Sequence, residues 1–369
     1  MLIAMFAAVP VTGAPGTGAS ATDLTTAPSP RPDLADVTAA TLRTRSQTRR
    51  VAVTFDDLPL GGPQFDVERM AAMTDKLVAS ITAAGAPAVG FVNESKVDVE
   101  GETGVRLALL RTWTDAGLEL GNHTYSHPSP HHVPLQDYFD DIVRGEPFTR
   151  MLLAEQRREL RYFRHPFLRR GRTLEDKGAI DSFLAGRGYT IAPVTMDNVD
   201  YLFSAVYTDA KTRGDVELME RIADAYLEFS AKIYEFYEGV AEKLFGRSIA
   251  HVYLLHANEL NADLFDRFAE LTRARGYEFI TLDEALTDAA YATADRYAGP
   301  AGTSWLFRWD ATQAEGSGAR KVDWRNEPSV PEWVRELFDN RPVSQRLVAR
   351  AGVRAHVDKA RADLGAEAY

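Results

Sequence analysis

Strand-like and helix-like segments alternate over roughly 240 residues of this chain, and that alternation restricts the fold more than any other feature. The strand-like segments are residues 50–55, 88–92, 118–120, 161–164, 189–196, 250–255 and 277–281, and the helix-like ones are residues 67–84, 105–116, 173–187 and 262–275. Runs of β-branched and apolar residues indicate the strands, and apolar residues that recur with a period of 3.6 indicate the helices. Strands that alternate with helices predict a parallel α/β sheet, open or closed.

Polar side chains follow most of these strands at their carboxyl ends. They are Asp56, Asp57, Asn93, His123, Arg164, Asp197 and His256. Both a parallel barrel and an open doubly wound sheet collect functional groups at that edge. The glycine-rich phosphate fingerprint of nucleotide-binding sheets is missing from the sequence, which favours the barrel.

Composition narrows the class of protein. The chain has 369 residues, a formal net charge of −11 and 45% hydrophobic residues, as expected for a globular protein of one large domain or two ordinary ones. The acidic balance argues against nucleic-acid binding, which favours a basic face. Because the chain contains no cysteine, disulfides, thiolate metal sites and cysteine nucleophiles are excluded.

The first 21 residues have features of an export signal. They carry no charged side chain, residues 2–11 form an apolar run, and Ala19-Ser20-Ala21 fits a cleavage site. We therefore predict a signal peptide over residues 1–21, a linker over residues 22–49, and a periplasmic or extracellular protein. The basic residues that usually open a signal are missing, and without a signal the protein would be cytoplasmic. No segment predicts stable membrane insertion.

Two acidic and two imidazole side chains carry most of the chemical information. A buried strand ends at Asp56-Asp57, and His123 and His127 are spaced so that one helical turn would place both rings on the same face. Two histidines and one carboxylate form a three-ligand metal site with positions left for water and substrate. The second aspartate can then act as a base, which indicates metal-assisted hydrolysis. Taken alone, the histidine pair could also be a hydrogen-bonded pair at a helix start.

Five motifs occur in a characteristic order. They are Thr54-Phe55-Asp56-Asp57, His123-Thr124-Tyr125-Ser126-His127, Arg164-His165-Pro166-Phe167, Asp197-Asn198-Val199-Asp200-Tyr201 and Leu254-Leu255-His256. In this order the chain resembles the polysaccharide deacetylases, the NodB-homology group of carbohydrate esterase family 4. The resemblance covers residues 50–290 and implies a distorted (β/α)7 barrel and a divalent metal, usually zinc. It leaves a helical insertion at about residues 202–246 and a C-terminal extension over residues 291–369.

The resemblance also implies roles for individual residues. Metal ligands would be Asp57, His123 and His127; the base would be Asp56 with Arg164 against it; and the acid would be His256 with Asp200 as its partner. The backbone N–H of Phe167 would stabilise the oxyanion, and Tyr201 and Leu254 would line the acetate pocket. Tyr201 stands where most relatives have tryptophan. The neighbouring His131 and His132 match no family role, and we expect both to face solvent.

A long helix is predicted over residues 215–245. Its apolar residues recur every three or four positions, Asp215 can cap its start and Gly246 can close its end. So wide an apolar stripe must be buried. We expect it to pack on the barrel wall; the alternatives are a lid or a contact in a homo-oligomer. Further on, we expect the aromatic residues 305–309 to pack back on the protein, residues 315–320 to form a loop, and residues 331–338 and 344–364 to form helices.

The function predicted from these residues is removal of an acetyl group from an N-acetylated or O-acetylated glycan. Two alternatives remain at this point. A barrel of this type could hydrolyse a small amide that is not a glycan, or it could bind glycans without catalysis. The five motifs contain every reactive position, which argues against a purely binding role.

Overall fold

The computed structural model describes residues 48–62 and 65–341. Within these ranges, strands and helices alternate along the chain as the sequence predicts. The signal peptide predicted over residues 1–21, nearly all of the linker and the helix predicted over residues 344–364 lie outside the described residues. Those three assignments stay predictions.

Eight strands and eleven α-helices lie in the described part of the chain. The strands are β1 (Arg49–Leu58), β2 (Val89–Val92), β3 (Glu119–Asn122), β4 (Tyr162–Phe163), β5 (Thr190–Ile191), β6 (Met196–Asp197), β7 (Ala250–His256) and β8 (Tyr277–Phe279). The helices are α1 (Val67–Ala83), α2 (Thr103–Asp115), α3 (Leu135–Arg144), α4 (Pro147–Glu155), α5 (Leu174–Gly186), α6 (Asp200–Thr212), α7 (Val216–Phe245), α8 (Glu259–Ala274), α9 (Leu282–Leu286), α10 (Trp305–Ser317) and α11 (Glu332–Asp339).

All described strand pairs are parallel, and seven strands follow the order β5-β4-β3-β2-β1-β7-β6. This order is the cycle of a seven-stranded barrel opened between β5 and β6, which are consecutive in sequence. The eighth strand, β8, pairs with the first residues of β1. The distorted (β/α)7 barrel predicted from the sequence is therefore confirmed.

Strand β1 lies at the centre of the sheet and is buried on both faces. Val51, Val53 and Phe55 face the surrounding helices, and the ring of Phe55 meets the edges of Trp113 and Phe265 at 5.6 and 5.5 Å. Ala52 belongs to a second apolar cluster on the opposite face of the sheet. Because side chains alternate along a strand, Thr54 and Asp56 share the face of Ala52. The strand thus delivers Asp56 to the barrel interior.

Helix α7 confirms the long helix predicted from periodicity. The carboxylate of Asp215 accepts a hydrogen bond from the Leu218 N–H at 3.1 Å, and Gly246 ends the helix with a φ of 67°. The apolar stripe packs within the chain, with Phe229 against Phe203 of α6 at 5.5 Å between ring centroids. The helix is therefore part of the barrel wall, as expected.

Three segments differ from the sequence-based expectation. The single strand predicted over residues 189–196 is divided into β5 and β6. Helices α3 and α4 between β3 and β4 were not predicted, since they are short and follow a proline-rich loop. The loop expected over residues 315–320 begins later, because α10 continues to Ser317. Gly318 ends α10 in the left-handed conformation with a φ of 76°, so the glycine closes a helix there. Trp305 and Trp309 pack into the core, as expected.

Among the described helices, none is both long enough and apolar enough to cross a membrane.

The packing of α7 generates a stability prediction. Phe229 is 3% exposed, so Phe229→Asp removes a buried ring and places a charge among apolar groups. We expect the free energy of unfolding to fall by more than about 3 kcal/mol with no change in oligomer size. Denaturant unfolding and size-exclusion chromatography measure the two quantities. Glu228→Ala, at an exposed position of the same helix, is the control; a stable Phe229→Asp protein with an altered oligomer size would contradict intrachain packing.

Candidate active site

Asp56 and Asp57 reach the same side of the sheet because the pairing of β1 with β2 is irregular near Asp57. In a regular strand, adjacent side chains point to opposite faces. Asp57 instead has a φ of 75°, and the pairing of β1 with β2 shifts register between Phe55 and Leu58. The Nε2 atom of His123 consequently lies 3.7 Å from Asp56 and 3.8 Å from Asp57.

The two histidines are brought together by a loop, so the prediction of a helical turn was wrong. The loop follows β3, and both Thr124 and His127 adopt left-handed backbone conformations, with φ values of 68° and 61°. The His127 N–H donates to the hydroxyl of Thr124 at 3.0 Å. This turn places the two imidazole rings 4.8 Å apart.

Helix α3 holds the histidine loop in this conformation. The Asp141 carboxylate accepts hydrogen bonds from the Ser126 N–H at 2.9 Å and from its hydroxyl at 2.6 Å, and the Asp141 carbonyl accepts the Tyr125 N–H at 3.0 Å. At the end of α3, a Cβ on Gly145 would come within 2.7 Å of the Thr124 backbone. The glycine therefore allows a close approach that a larger residue would prevent.

Asp57, His123 and His127 form the cluster of metal-ligand type found among the described residues. One ligand atom of each lies within 4.8 Å of the others. The Nδ1 of His123 bonds to the Arg164 carbonyl at 2.8 Å, so with the proton on Nδ1 its Nε2 is free to bind a metal. The Asp57 Oδ1 atom is buried and has no hydrogen-bond partner in the described structure. These donors fit a divalent metal.

The two aspartates have different electrostatic surroundings. Burial raises the pKa of Asp56 to about 6, opposed by the positive charge of Arg164. Burial would also raise the pKa of Asp57, but Lys96 and His127 lower it well below its ordinary value. The Lys96 ammonium lies 3.4 Å from the Asp57 carboxylate. Burial lowers the pKa of His127 to about 4, so the imidazole is neutral and able to act as a ligand at neutral pH.

Arg164 is completely buried beneath Asp56. One of its terminal nitrogens donates to the Thr54 hydroxyl at 2.8 Å, and another lies 3.7 Å from the Asp56 carboxylate. The guanidinium also stacks over the Phe91 ring at 4.7 Å. Since an unpaired buried charge is costly, the guanidinium and the Asp56 carboxylate each offset the burial of the other.

His256 lies across the site on β7, directly paired with Asp56 of β1. Its Nδ1 bonds to the Asp200 carboxylate at 2.6 Å, and its backbone N–H donates to the same carboxylate at 2.8 Å. Asn258 and Asn261 also donate to that carboxylate, at 2.9 and 2.5 Å. Burial would lower the pKa of His256, but Asp200 outweighs burial and raises it to about 10.

The remaining predicted site residues lie around these groups. The Phe167 ring meets the His127 ring edge to face at 4.4 Å, and the Tyr201 ring meets His256 at 5.9 Å. Leu254 is buried on β7 and pairs with Thr54 on one side and Asp197 on the other. The structure thus brings together all ten site residues proposed from the sequence, while their individual roles stay predictions.

Two neighbours of the site, Lys96 and Asp141, were missed from the sequence, and a third was not given a role. Lys96 and Asp141 belong to no recognisable motif, and Asp197 was noted at a strand end without a role. Burial raises the pKa of Asp197 to about 6.

His131 was expected in solvent but is 8% exposed, and burial with the nearby Arg169 lowers its pKa to about 4. His132 is exposed, as expected.

A comparison with curated proteins finds no match. Solved structures with a similar fold include a chitin deacetylase from the fungus Colletotrichum lindemuthianum, with 22% identity, 66% of this chain and 91% of that chain covered, and a TM-score of 0.45. The peptidoglycan deacetylase PdaC of Bacillus subtilis has 17% identity, coverage of 65% and 92%, and a TM-score of 0.41. A carbohydrate esterase family 4 pseudoenzyme from Bacillus anthracis has 15% identity, coverage of 65% and 66%, and a TM-score of 0.43.

A family model described as polysaccharide deacetylase matches residues 43–179. This segment contains both aspartates of β1, both histidines of the loop, and Arg164 with Phe167. Three of the five motifs that suggested the resemblance therefore lie within the matched residues, and this segment is similar to the polysaccharide deacetylase family.

Proposed function

We propose that the protein is a metal-dependent deacetylase that removes acetyl groups from an N-acetylated or O-acetylated glycan. One observation carries the proposal. A three-ligand cluster of Asp57, His123 and His127 lies beside a buried carboxylate, Asp56, and Asp56 pairs across the sheet with His256, whose pKa Asp200 raises to about 10. Hydrolysis of an amide or ester needs a base on one side of the carbonyl and an acid on the other.

Zinc is the metal we propose, held by Asp57, His123 and His127. Two imidazole nitrogens and one carboxylate oxygen form a donor set that zinc accepts, and three protein ligands are typical of catalytic zinc. When bound, the metal supplies Lewis-acid polarisation of the acetyl carbonyl and lowers the pKa of a water. Lys96, 3.4 Å from Asp57, limits the negative charge of the ligand set.

Asp56 is proposed as the base that takes the proton of the attacking water. Its carboxylate lies 3.7 Å from the Nε2 of His123, so it is adjacent to the ligand cluster without being needed as a ligand. The buried Arg164 holds this carboxylate from below, 3.7 Å away. The arginine orients Asp56 and keeps it ionised for proton transfer.

His256 is proposed as the acid that protonates the leaving amine or alcohol. With Nδ1 bound to Asp200, the exchangeable proton for the leaving group is the one on Nε2. The Asp200 carboxylate favours the charged imidazole, and Asn258 and Asn261 fix that carboxylate in turn. The backbone N–H of Phe167 is proposed to stabilise the oxyanion, with Tyr201 and Leu254 lining the acyl pocket.

Acetate release from acetylated glycans tests the proposal. The wild-type protein, loaded with zinc, is incubated with N-acetylated chito-oligosaccharides, acetylated xylan and small amides that are not glycans. We expect acetate from at least one glycan. In Asp56→Asn the amide cannot accept the proton of water, so we expect metal content to stay the same and turnover to fall by about 10²–10⁴-fold.

Two outcomes would count against this function. Hydrolysis of the small amides alone would make the protein an amidohydrolase on a different substrate class. Glycan binding with no acetate release by the zinc-loaded protein would make it a binding protein. Full turnover by Asp56→Asn would remove the aspartate from the mechanism.

The ligand assignment predicts the effect of removing one histidine. His127→Ala deletes one of three protein ligands, and we expect zinc affinity to fall by more than the roughly 10–100-fold that loss of an outer-shell partner costs. Competition with a chromogenic chelator measures the affinity. His132→Ala removes an exposed histidine nearby and serves as the control. Equal affinities of the two variants would disprove the assignment.

The pairing of His256 with Asp200 predicts the pH dependence of turnover. The acid form of His256 is needed, so kcat should decline as the pH rises through the pKa of about 10. Asp200→Asn removes the charge that raises this pKa, while burial still lowers it, so the alkaline decline should move to lower pH. The same pair stabilises the folded state fully below pH 6.5, and that stability is lost as pH rises through about 10.

The control for this pH profile is Asp209→Asn on the same helix, α6. Asp209 binds Arg341 and makes none of the contacts of His256. Its pH profile of kcat should match that of the wild type. An unchanged alkaline limb in Asp200→Asn would show that His256 is not the acid.

A further inference from the structure

The loop that carries Phe167 has an unusual backbone. Phe167 and Leu168 both have left-handed φ values, 55° and 52°, which residues other than glycine rarely adopt. Such residues each cost about 1–3 kcal/mol and persist only where surrounding contacts hold them. The contacts that hold this loop therefore decide where the Phe167 backbone N–H lies.

One of these contacts comes from Arg308, which lies in the C-terminal extension. A terminal nitrogen of its guanidinium donates a short hydrogen bond to the Leu168 carbonyl. Its Nε donates to the Thr303 carbonyl at 3.1 Å, and the side chain is almost completely buried. The guanidinium therefore ties the strained loop to the segment just before α10.

A buried group of charges fixes Arg308 in turn. The Asp295 carboxylate lies 3.8 Å from Arg308, 2.5 Å from Arg170 and 2.8 Å from Lys177. Arg170 follows the strained loop by two residues, and Lys177 lies on α5. Asp295 thus links the C-terminal extension to the residues that directly follow the loop, in an environment where each charge needs its partners.

Backbone contacts attach the same segment to the sheet. The Trp305 N–H donates to the Val194 carbonyl at 2.7 Å, and the Ser304 hydroxyl donates to the Thr195 carbonyl at 2.9 Å. Val194 and Thr195 lie between β5 and β6, where the barrel cycle is open. The segment from Asp295 to Arg308 therefore packs at the barrel opening and contacts the loop of Phe167.

We propose that Arg308 is a positioning residue for catalysis, which holds the Phe167–Leu168 backbone in the conformation that aims the Phe167 N–H at the oxyanion. This inference rests on the proposed function. It makes the C-terminal extension a part of the active site, although the family model ends at residue 179. Arg308 contacts the loop through the Leu168 carbonyl and acts through that contact alone.

Arg308→Met tests the proposal, because methionine fills similar space and donates no hydrogen bond. Asp295 keeps Arg170 and Lys177 as partners in this variant. We expect kcat for acetate release to fall by about 10²-fold, since small displacements of a positioned group have effects of that size. KM and zinc affinity should stay at wild-type values. Amide hydrogen exchange in the peptide over residues 165–171 should become faster.

Arg341→Met is the matched control. Arg341 is also a buried arginine downstream of the barrel, but it binds Asp209 at 2.7 Å and contacts none of the proposed catalytic groups. We expect its kcat and its exchange over residues 165–171 to match the wild type. If Arg308→Met does not fold, Arg308→Lys replaces it; lysine keeps a charge near Asp295 but lacks the planar fork.

Unchanged kcat together with unchanged exchange over residues 165–171 would overturn the proposal. So would an equal loss of kcat in Arg341→Met, which would indicate a general loss of stability. If the wild-type protein releases no acetate from any substrate, the proposed function fails. The hydrogen-exchange comparison is then still informative about whether Arg308 holds the loop.

Discussion

Two carboxylates that are adjacent in sequence cannot both stay ionised in a buried site unless each has its own cation. At the edge of the barrel, this requirement explains why a separate cation lies beside each of Asp56 and Asp57. Asp56 has Arg164, which directly follows β4, while Asp57 has Lys96, which lies shortly after β2. Because the two cations follow different strands, the carboxylates keep different proton affinities and different proposed tasks.

The convergence of the site residues explains where the backbone is strained. Among the described residues, seven that are not glycine have a positive φ, and six of them lie in the segments that carry the site: Asp57, Thr124, His127, Phe167, Leu168 and Val199. Regular strands would send neighbouring side chains to opposite faces, so convergence on one point needs irregular turns. Strain of this kind is kept where surrounding contacts hold it, such as those of Asp141 and Arg308.

The sequence predicted those parts of the fold that depend on local pattern. Strand β1 and helix α7 follow from β-branched runs, 3–4 periodicity and visible caps, and the reactive residues follow from their position at strand ends. The loop between His123 and His127 could not be predicted, because its turns depend on α3, which lies later in the chain. His131 was misplaced for a similar reason: its burial comes from tertiary contacts near Arg169, which sequence spacing does not encode.

The proposed site extends beyond the residues that the family model matches. The residues matched by the family model contain the ligand cluster and the proposed base, but His256 and Asp200 follow them, and α7 separates these two partners along the chain. Burial of α7 fixes α6, whose first residue is Asp200, against the barrel wall. Since Asp200 raises the pKa of His256, the long apolar helix affects the proposed acid through packing. The proposed site therefore depends on strands and helices that follow residue 179 as well as on those before it.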